Sequence, residues 1–235
     1  MKFENKDKAY LQNRKTLEGE LGIELWNIVD HWPLYCGIAN LARNVAIIDL
    51  VRSTLDVPGH IAEFGCWRGA NLMLLAKLME IFDPHSLKEI HGFDSFQGLT
   101  TFATEDKDAA EEEGRYKGDL KGLQALIDLY ELQDTIQIHK GLIGNTLPEF
   151  LERRPEATFS LVYCDTDLYE PTRDILTMLH ERLSKGGIFV FDEWNIEKWP
   201  GETVAAREFI ATHSDHYVQE HVRGTRQPNF VLRKM

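Results

Sequence analysis

The 235-residue sequence contains only three cysteines, Cys36, Cys66 and Cys164. Their odd number and wide spacing provide neither a disulfide framework nor the paired CxxC spacing of a zinc site. The sequence also lacks a run of about 18 apolar residues, which a membrane-spanning helix would need. Its charged start, MKFENKDKAY, has no apolar core of the kind found in secretory signals. We therefore expect a cytoplasmic protein without a membrane partner.

Basic residues are also scarce, because 26 Lys and Arg face 38 Asp and Glu and give a formal net charge of −12. Binding to a nucleic-acid backbone requires a basic face, so nucleic acid is disfavoured as a partner. The hydrophobic share of 43% is sufficient for a packed core, and the length fits one ordinary α/β domain. We predict a single domain over residues 1–235, with a helical cap at 1–55 and a core at 56–235 that carries an insert near 100–119.

Strand and helix patterns alternate after the helical cap. Apolar strands are predicted at residues 60–64, 89–94, 135–140, 159–165 and 188–192, each followed by a helical segment, and this alternation predicts a doubly wound parallel α/β sheet. The last two predicted strands, 217–222 and 229–234, are separated only by a turn. We expect them to form an antiparallel hairpin at one edge of the sheet.

Three local features set the predicted helix boundaries. Apolar residues recur at steps of three and four between Gly37 and Leu55, which predicts an amphipathic helix. Pro148 is predicted to open a short helix. A helix with Pro171 in its first turn is predicted to run to about Leu183 and to end at Lys185-Gly186-Gly187.

The segment Glu63-Phe64-Gly65-Cys66-Trp67-Arg68-Gly69 connects a predicted strand to a predicted helix. Glycines there allow the backbone to approach a ligand, since no Cβ atom stands in the way. The N–H groups of the following helix N-terminus favour a carboxylate. The E-x-G-x-x-x-G spacing differs from the G-x-G-x-x-G of dinucleotide-binding proteins. A tight connection with no ligand is the alternative interpretation.

Asp94 ends the second predicted strand. An acidic side chain at this place can accept hydrogen bonds from both ribose hydroxyls of an adenosine group. The alternative is an aspartate that only caps the following turn. Together with the glycine-containing loop, Asp94 favours a nucleoside ligand.

Three carboxylates, Asp165, Asp192 and Glu193, follow the fourth and fifth predicted strands. The carboxyl ends of neighbouring parallel strands lie side by side, so these side chains can converge on one point. Three such charges repel one another unless a cation joins them. Mg²⁺ prefers oxygen ligands and could activate an acceptor hydroxyl for transfer of a methyl group. In the alternative interpretation, one carboxylate binds a cofactor amine and the others are solvated.

Six segments in the same order resemble the TylF/MycF-type O-methyltransferases, which act on sugars of macrolides and related natural products: AEFGCWRGAN (62–71), GFDSFQGL (92–99), KGLIGNTLPEF (140–150), CDTDLYEPT (164–172), LSKGGIFVFDEW (183–194) and PGETVAAREF (200–209). The resemblance implies a class I methyltransferase fold, a Rossmann-like sheet of seven mostly parallel strands in the order 3-2-1-4-5-7-6. Helices would cover both faces of this sheet, with a helical extension at the N-terminus. It also implies S-adenosylmethionine as cofactor.

The resemblance further implies a role for particular residues. Asp165 would act as general base, and Asp165, Asp192 and Glu193 would bind Mg²⁺. The cofactor would contact Glu63, Phe64, Gly65, Arg68, Gly69, Asn71, Asp94, Ser95, Gly141, Leu142 and Asp165. The family usually has Asp-Asp where this sequence has Asp192-Glu193, and the longer Glu193 must shift the geometry of a metal site.

Other features concern the acceptor and the partners. Aromatic side chains near the predicted metal site, Tyr169, Trp194 and Trp199, could stack on a sugar or could simply pack a loop. The charged segment 105–119 is either a solvated insert or a mobile lid. His139 and His180 have no partner at metal-ligand spacing and are interpreted as structural. The apolar N-terminal helix makes a homo-oligomer the expected assembly.

The leading hypothesis is therefore an S-adenosylmethionine- and Mg²⁺-dependent O-methyltransferase acting on a hydroxyl of a natural-product sugar or a similar small molecule. Metal-independent methylation of nitrogen or carbon is the first alternative. A cofactor-binding regulator without turnover is the second, and an NAD-dependent oxidoreductase is a more distant third.

Overall fold

The computed structural model describes residues 25–235, and the first part of the predicted helical cap, residues 1–24, lies outside the described residues. The described chain begins with three helices. These are α1 (Leu25–Asp30), α2 (Trp32–Tyr35) and α3 (Ile38–Arg52), the last of which confirms a helix between Gly37 and Leu55. Its predicted apolar face is wrong, because Ile38, Leu41 and Val45 are exposed. Ile47, Leu50 and Val51 of α3 are buried against the rest of the protein.

Seven strands form one sheet in the order β3-β2-β1-β4-β5-β7-β6. The strands are β1 (His60–Phe64), β2 (Ile90–Asp94), β3 (Ile136–Lys140), β4 (Phe159–Cys164), β5 (Leu183–Phe191), β6 (Tyr217–His221) and β7 (Phe230–Lys234). The first five strands pair in parallel, whereas β7 pairs antiparallel with both β5 and β6. The predicted strand order and the predicted terminal hairpin are both confirmed.

Helices cover both faces of the sheet, as predicted. They are α4 (Ala70–Phe82), α5 (Leu120–Leu129), α6 (Ile143–Arg153), α7 (Tyr169–Leu179) and α8 (Pro200–His213), with short 3-10 helices at Thr104–Glu112 and Ser214–His216. Successive strand side chains point to opposite faces. Ile61 accordingly packs with α3, α4 and α5, whereas Phe64 packs with α6, α7 and α8. Within residues 25–235, no helix has the length and apolar character needed to cross a membrane.

Two predicted helix boundaries are wrong. Pro148 lies inside α6, which begins earlier, at Ile143. Burial of Leu147 and Phe150 against the sheet stabilises this helix although Pro148 cannot donate a backbone hydrogen bond. Helix α7 ends at Leu179 instead of reaching Leu183.

The sequence Lys185-Gly186-Gly187 lies within β5 and does not end a helix. Leu183 already pairs with Phe159 of β4, and the register then shifts before Ile188 pairs with Leu161. The extra residues between these two pairs form a bulge. Gly186 has a φ of 82° in this bulge, a backbone conformation that glycine adopts readily. Pairing of Leu183 with β4 therefore ends the preceding helix early.

Candidate active site

A cavity of about 1200 Å³ opens at the carboxyl ends of the parallel strands. The loops that follow β1, β2, β3, β4 and β5 all contribute to its lining, together with α3 and the loop between β6 and β7. Ligands of open α/β sheets bind at this edge, because the strand ends and helix N-termini converge there. The three motifs that the sequence singled out therefore border one space.

The loop after β1 requires glycine at two positions, because a Cβ atom at either position would overlap another part of the protein. Gly65 has a φ of 89°, and a Cβ atom there would overlap the backbone oxygen of Asp165. Gly69 has a φ of 80°, and its Cβ would overlap the side chain of Leu123. The glycine spacing predicts room for a ligand at both positions, but the space at each position is filled by the chain itself. Gly65 lines the cavity, and Gly69 lies outside the lining as the N-cap of α4.

Glu63 presents an unsatisfied carboxylate oxygen in the part of the cavity next to this loop. Its Oε1 accepts a hydrogen bond from Asn71 Nδ2 at 3.0 Å, whereas its Oε2 is buried without a partner among the described atoms. Both residues line the cavity. Burial, followed by the charge of Asp165, raises the pKa of Glu63 well above its ordinary value. A ligand that brings a hydrogen-bond donor would satisfy Oε2.

Asp94 combines both roles considered for it. Its Oδ2 accepts a hydrogen bond from the backbone N–H of Trp67 at 2.7 Å, and its Oδ1 accepts one from the N–H of Phe96 at 2.6 Å. These bonds cap the local turns and fix the carboxylate, which also lines the cavity. Each carboxylate oxygen retains a lone pair for a further donor. The capping interpretation is therefore compatible with ligand binding.

The remaining residues predicted to contact a cofactor divide into two groups. Ser95, Gly141 and Leu142 line the cavity beside Asp94. Phe64 does not, because it is fully buried and stacks on Phe93 with ring centroids 4.6 Å apart. Arg68 is also absent from the lining, and its guanidinium lies 4.9 Å from the centre of the Trp67 ring.

The carboxylate cluster includes Asp167, which the sequence patterns did not indicate. Ligand oxygens of Asp165, Asp167 and Glu193 lie within 4.8 Å of one another. Burial and the charge of Asp192 raise the pKa of Asp165 well above its usual value and that of Glu193 to about 7. Burial and the charges of Asp165 and Glu193 also raise the pKa of Asp167 well above its usual value. Glu193 Oε2 is also buried without a hydrogen-bond partner in the described part of the chain.

Asp192 faces a different set of groups. Its Oδ1 accepts hydrogen bonds from Arg43 Nη1 and from the Tyr163 hydroxyl, both at 2.6 Å. Arg43 also donates from Nη2 to Asp165 Oδ2 at 3.1 Å, so its guanidinium bridges two of the predicted metal ligands. Local spacing could not identify Arg43, because it lies on α3, more than 100 positions before either carboxylate.

Glu202 is a third site residue that the sequence patterns did not indicate, although it lies in one of the resembling segments. It is fully buried at the start of α8, where its Oε1 accepts a hydrogen bond from the Glu193 backbone N–H at 2.7 Å. Thr203 Oγ1 accepts one from the Asn195 N–H at 2.8 Å. The first turn of α8 therefore holds the loop that carries Asp192 and Glu193.

Only one of the three predicted acceptor-stacking residues lines the cavity. Trp199 does so and is 4% exposed, with Tyr116 of the 100–119 insert beside it. Trp194 instead stacks on Phe230 with centroids 3.9 Å apart, and the Tyr169 hydroxyl donates to Glu208. Neither Trp194 nor Tyr169 is part of the lining.

The charged insert is attached to the core by a buried carboxylate. Asp106 accepts hydrogen bonds from the backbone N–H groups of Ala103 and Tyr169, each at 2.8 Å. Glu112 of the insert forms an ion pair with Lys198 at 2.9 Å. These contacts place Tyr116 and the preceding loop at the cavity wall.

The strand order 3-2-1-4-5-7-6, the glycine-containing loop after β1 and the acidic residue at the end of β2 define a class I S-adenosylmethionine-dependent methyltransferase fold. A family model described as macrocin-O-methyltransferase (TylF) matches residues 35–222. The chain belongs to this family.

Individual relatives support the same assignment. Over 208 residues the chain is 28% identical to the demethyldecarbamoylnovobiocin O-methyltransferase of Streptomyces niveus, with coverage of 80% of this chain and 74% of that protein. Over 149 residues it is 29% identical to the 8-demethyl-8-(2,3-dimethoxy-alpha-L-rhamnosyl)-tetracenomycin-C 4'-O-methyltransferase of Streptomyces olivaceus. That match covers 60% of this chain and only 55% of the relative, so the chain spans little more than half of that protein.

A solved structure is similar over nearly the whole chain. The calicheamicin methyltransferase CalS11 is 30% identical and aligns with a TM-score of 0.85, covering 96% of this chain and 91% of its own. Its apo structure is described as that of a TDP-rhamnose 3'-O-methyltransferase.

Proposed function

We propose that this protein transfers the methyl group of S-adenosylmethionine to a hydroxyl of a sugar that belongs to a natural product or to its precursor. The observation that supports the proposal most strongly is the shared cavity. The loop after β1, with Glu63 and Asp94 beside it, occupies one part of the lining. The Asp165 carboxylate is near enough to act on the pKa of Glu63 and also lies within 4.8 Å of Asp167 and Glu193. A methyl donor and an acceptor could therefore meet at Asp165.

The proposed cofactor contacts follow from the groups that line this part of the cavity. Asp94 would accept hydrogen bonds from the ribose hydroxyls, since its carboxylate is fixed by two backbone N–H groups. Glu63 Oε2 would accept a hydrogen bond from the cofactor amine, because it is buried and has no partner in the described structure. Ser95, Gly141 and Leu142 would complete the adenosine pocket.

Asp165 is the proposed general base. Its carboxylate lines the cavity and lies within 4.8 Å of ligand oxygens of Asp167 and Glu193, so it would be within reach of a hydroxyl held by these acids. Asp165 would accept the proton that the acceptor hydroxyl loses as its oxygen bonds to the methyl carbon and the carbon–sulfur bond breaks. Positioning of the two reactants would supply a further part of the rate enhancement.

The same acids fit a divalent cation. Asp165, Asp167 and Glu193 bring oxygens within 4.8 Å of one another, and the orphan Oε2 of Glu193 lacks the donor that a buried carboxylate requires. We propose that Asp165 and Glu193 hold Mg²⁺, with Asp192 or Asp167 as the third carboxylate. When bound, Mg²⁺ supplies positive charge that lowers the pKa of the acceptor hydroxyl and orients its oxygen.

A sugar acceptor is supported by the names of the relatives, which include a rhamnosyl 4'-O-methyltransferase and a TDP-rhamnose 3'-O-methyltransferase. Incubation with trideuteromethyl-labelled S-adenosylmethionine and a panel of glycosylated polyketides, nucleotide-linked deoxysugars and catechols tests the proposal by mass spectrometry. We expect the label on a sugar oxygen. Label on nitrogen or carbon would favour the metal-independent alternative, and cofactor binding without label transfer to any acceptor would favour a regulator.

Arg43 and a bound cation would compete for the same carboxylates. Arg43→Gln removes a positive charge that lies within 3.1 Å of both Asp165 and Asp192. Relief of charge repulsion on the order of 1–3 kcal/mol should tighten cation binding at least about fivefold. Calorimetric titration with Mn²⁺ as a Mg²⁺ substitute measures the effect.

The matched control is Arg52→Gln at the end of the same helix, where the guanidinium lies 4.8 Å from the centre of the Phe82 ring. This variant should bind Mn²⁺ like the wild type. Equal or weaker Mn²⁺ affinity in Arg43→Gln would show that Arg43 does not oppose the cation.

A further inference from the structure

A second group of metal-ligand side chains lies at the amino ends of the parallel strands, opposite the cavity. His60 begins β1, Glu89 immediately precedes β2, and His91 is the second residue of β2. One ligand atom from each of the three lies within 4.8 Å of the others. The cavity described above lies at the carboxyl ends of these strands, so the group is separate from it.

His91 contributes an unsatisfied nitrogen to this group. The residue is 1% exposed, and its Nε2 is buried without a hydrogen-bond partner in the described structure. Glu89 Oε2 lies 3.3 Å away, although the geometry is not that of a hydrogen bond. The other ring nitrogen, Nδ1, lies 3.1 Å from His139 Nε2. If Nδ1 donates the proton of this contact, Nε2 keeps a free lone pair that faces a carboxylate.

We propose that His60, Glu89 and His91 form a binding site for a single Zn²⁺ ion. Two imidazoles and one carboxylate are a common zinc ligand set, and water completes the tetrahedron. Zinc bonds of about 2.0–2.2 Å at tetrahedral angles place neighbouring ligand atoms about 3.3–3.6 Å apart. The separation of 3.3 Å between His91 Nε2 and Glu89 Oε2 matches this spacing.

The surroundings of the ligands are those that zinc sites require. The His91 ring is 1% exposed, and a buried imidazole binds a metal in its neutral form. The contact between His91 and His139 supplies the outer hydrogen bond that orients a ligating imidazole. His60 Nδ1 accepts a hydrogen bond from the Glu89 N–H at 3.0 Å, and zinc would take over this lone pair.

Arg154 is the group that zinc would displace. Its Nη1 lies 3.1 Å from Glu89 Oε2, and its Nε donates to Glu156 at 2.7 Å. The side chain is 38% exposed and can therefore turn fully toward Glu156 and solvent. Arg154 balances the negative charge of Glu89 when no metal is bound. A zinc ion at the site would replace Arg154 in this role.

Zinc titration of the full-length protein against a chromophoric chelator tests the site, with Mg²⁺ in excess to occupy the carboxylate cluster. The wild type should bind one equivalent of zinc. Glu89→Gln should weaken binding by more than about tenfold, since loss of even an outer-shell partner costs about 10–100-fold. Arg154→Gln should tighten it, because a competing cation is removed. His85→Gln, an exposed histidine outside the group, is the control and should change nothing.

Thermal unfolding provides a second readout that does not depend on the chelator. Zinc should raise the unfolding temperature of the wild type and of Arg154→Gln, but not that of Glu89→Gln. If Glu89→Gln does not fold, His60→Gln replaces it with the same expected loss. Failure of the wild type to bind zinc, or equal zinc affinity in the wild type and the ligand variants, would overturn the proposal. Neither result depends on the methyltransferase activity.

Discussion

Replacing Asp165 by asparagine is expected to lower kcat by about 10²- to 10⁴-fold, the usual contribution of a general base. The substitution keeps the size of the side chain and its contact with Arg43 but removes the proton-accepting carboxylate. It also removes the negative charge that Asp165 contributes to the acidic cluster. Single-turnover kinetics with a saturating acceptor measures the effect on chemistry separately from product release.

Asp174→Asn is the matched control for Asp165→Asn. Asp174 also lines the cavity, but it pairs with Arg173 at 2.8 Å and is not part of the acidic cluster. This control should retain kcat within about twofold, because a partly exposed ion pair contributes little. Turnover by Asp165→Asn at the wild-type rate would exclude Asp165 as the base.

Removal of divalent metal should reduce activity at least about hundredfold, and added Mg²⁺ should restore it. A metal that stabilises developing charge contributes several kcal/mol, and about 2.7 kcal/mol corresponds to a factor of one hundred. Without a cation, Asp165, Asp167 and Glu193 share a confined space in which burial and mutual repulsion favour their protonated forms. Dialysis against a chelator, followed by an activity assay with and without Mg²⁺, measures the loss and the recovery.

Glu193→Gln tests the proposed Mg²⁺ site by changing a proposed ligand instead of removing the metal. It should weaken Mg²⁺ activation without weakening cofactor binding, since Glu193 lies among the acids and not beside the cofactor loop. Glu220→Gln, on the exposed edge strand β6, is a suitable control. Full activity in the presence of chelator would favour a metal-independent enzyme in which Arg43 alone balances the charge of Asp165 and Asp192.

Local patterns predicted the parts of the fold that depend on neighbouring residues. The bounds of β1 agree with the prediction, and the predicted helix follows as α4, because a short apolar strand, a glycine-containing loop and an apolar helix follow one another without ambiguity. The end of α7 and the start of β5 could not be predicted in this way. Leu183 joins the sheet because it pairs with Phe159, a contact that local sequence does not reveal.

The residues of the site also divide into those that local sequence could identify and those that only the tertiary structure brings there. Asp94, Asp165 and Glu193 could be found because each lies at or just beyond the carboxyl end of a strand, and these strand ends lie side by side in a parallel sheet. Arg43 and Glu202 act from helices that the fold brings to this edge, so only tertiary structure identifies them. Phe64 lies in the right segment but points into the core, because successive side chains of a strand alternate between faces.

The most direct test of the central claim is a crystal structure with S-adenosylhomocysteine and a sugar acceptor. The claim is that one cavity places the cofactor loop and Asp165 on either side of the reacting atoms. We predict ribose hydroxyls hydrogen-bonded to Asp94 and an acceptor hydroxyl within hydrogen-bond distance of Asp165. An acceptor oxygen remote from Asp165, or a nucleoside bound away from Asp94, would contradict the claim.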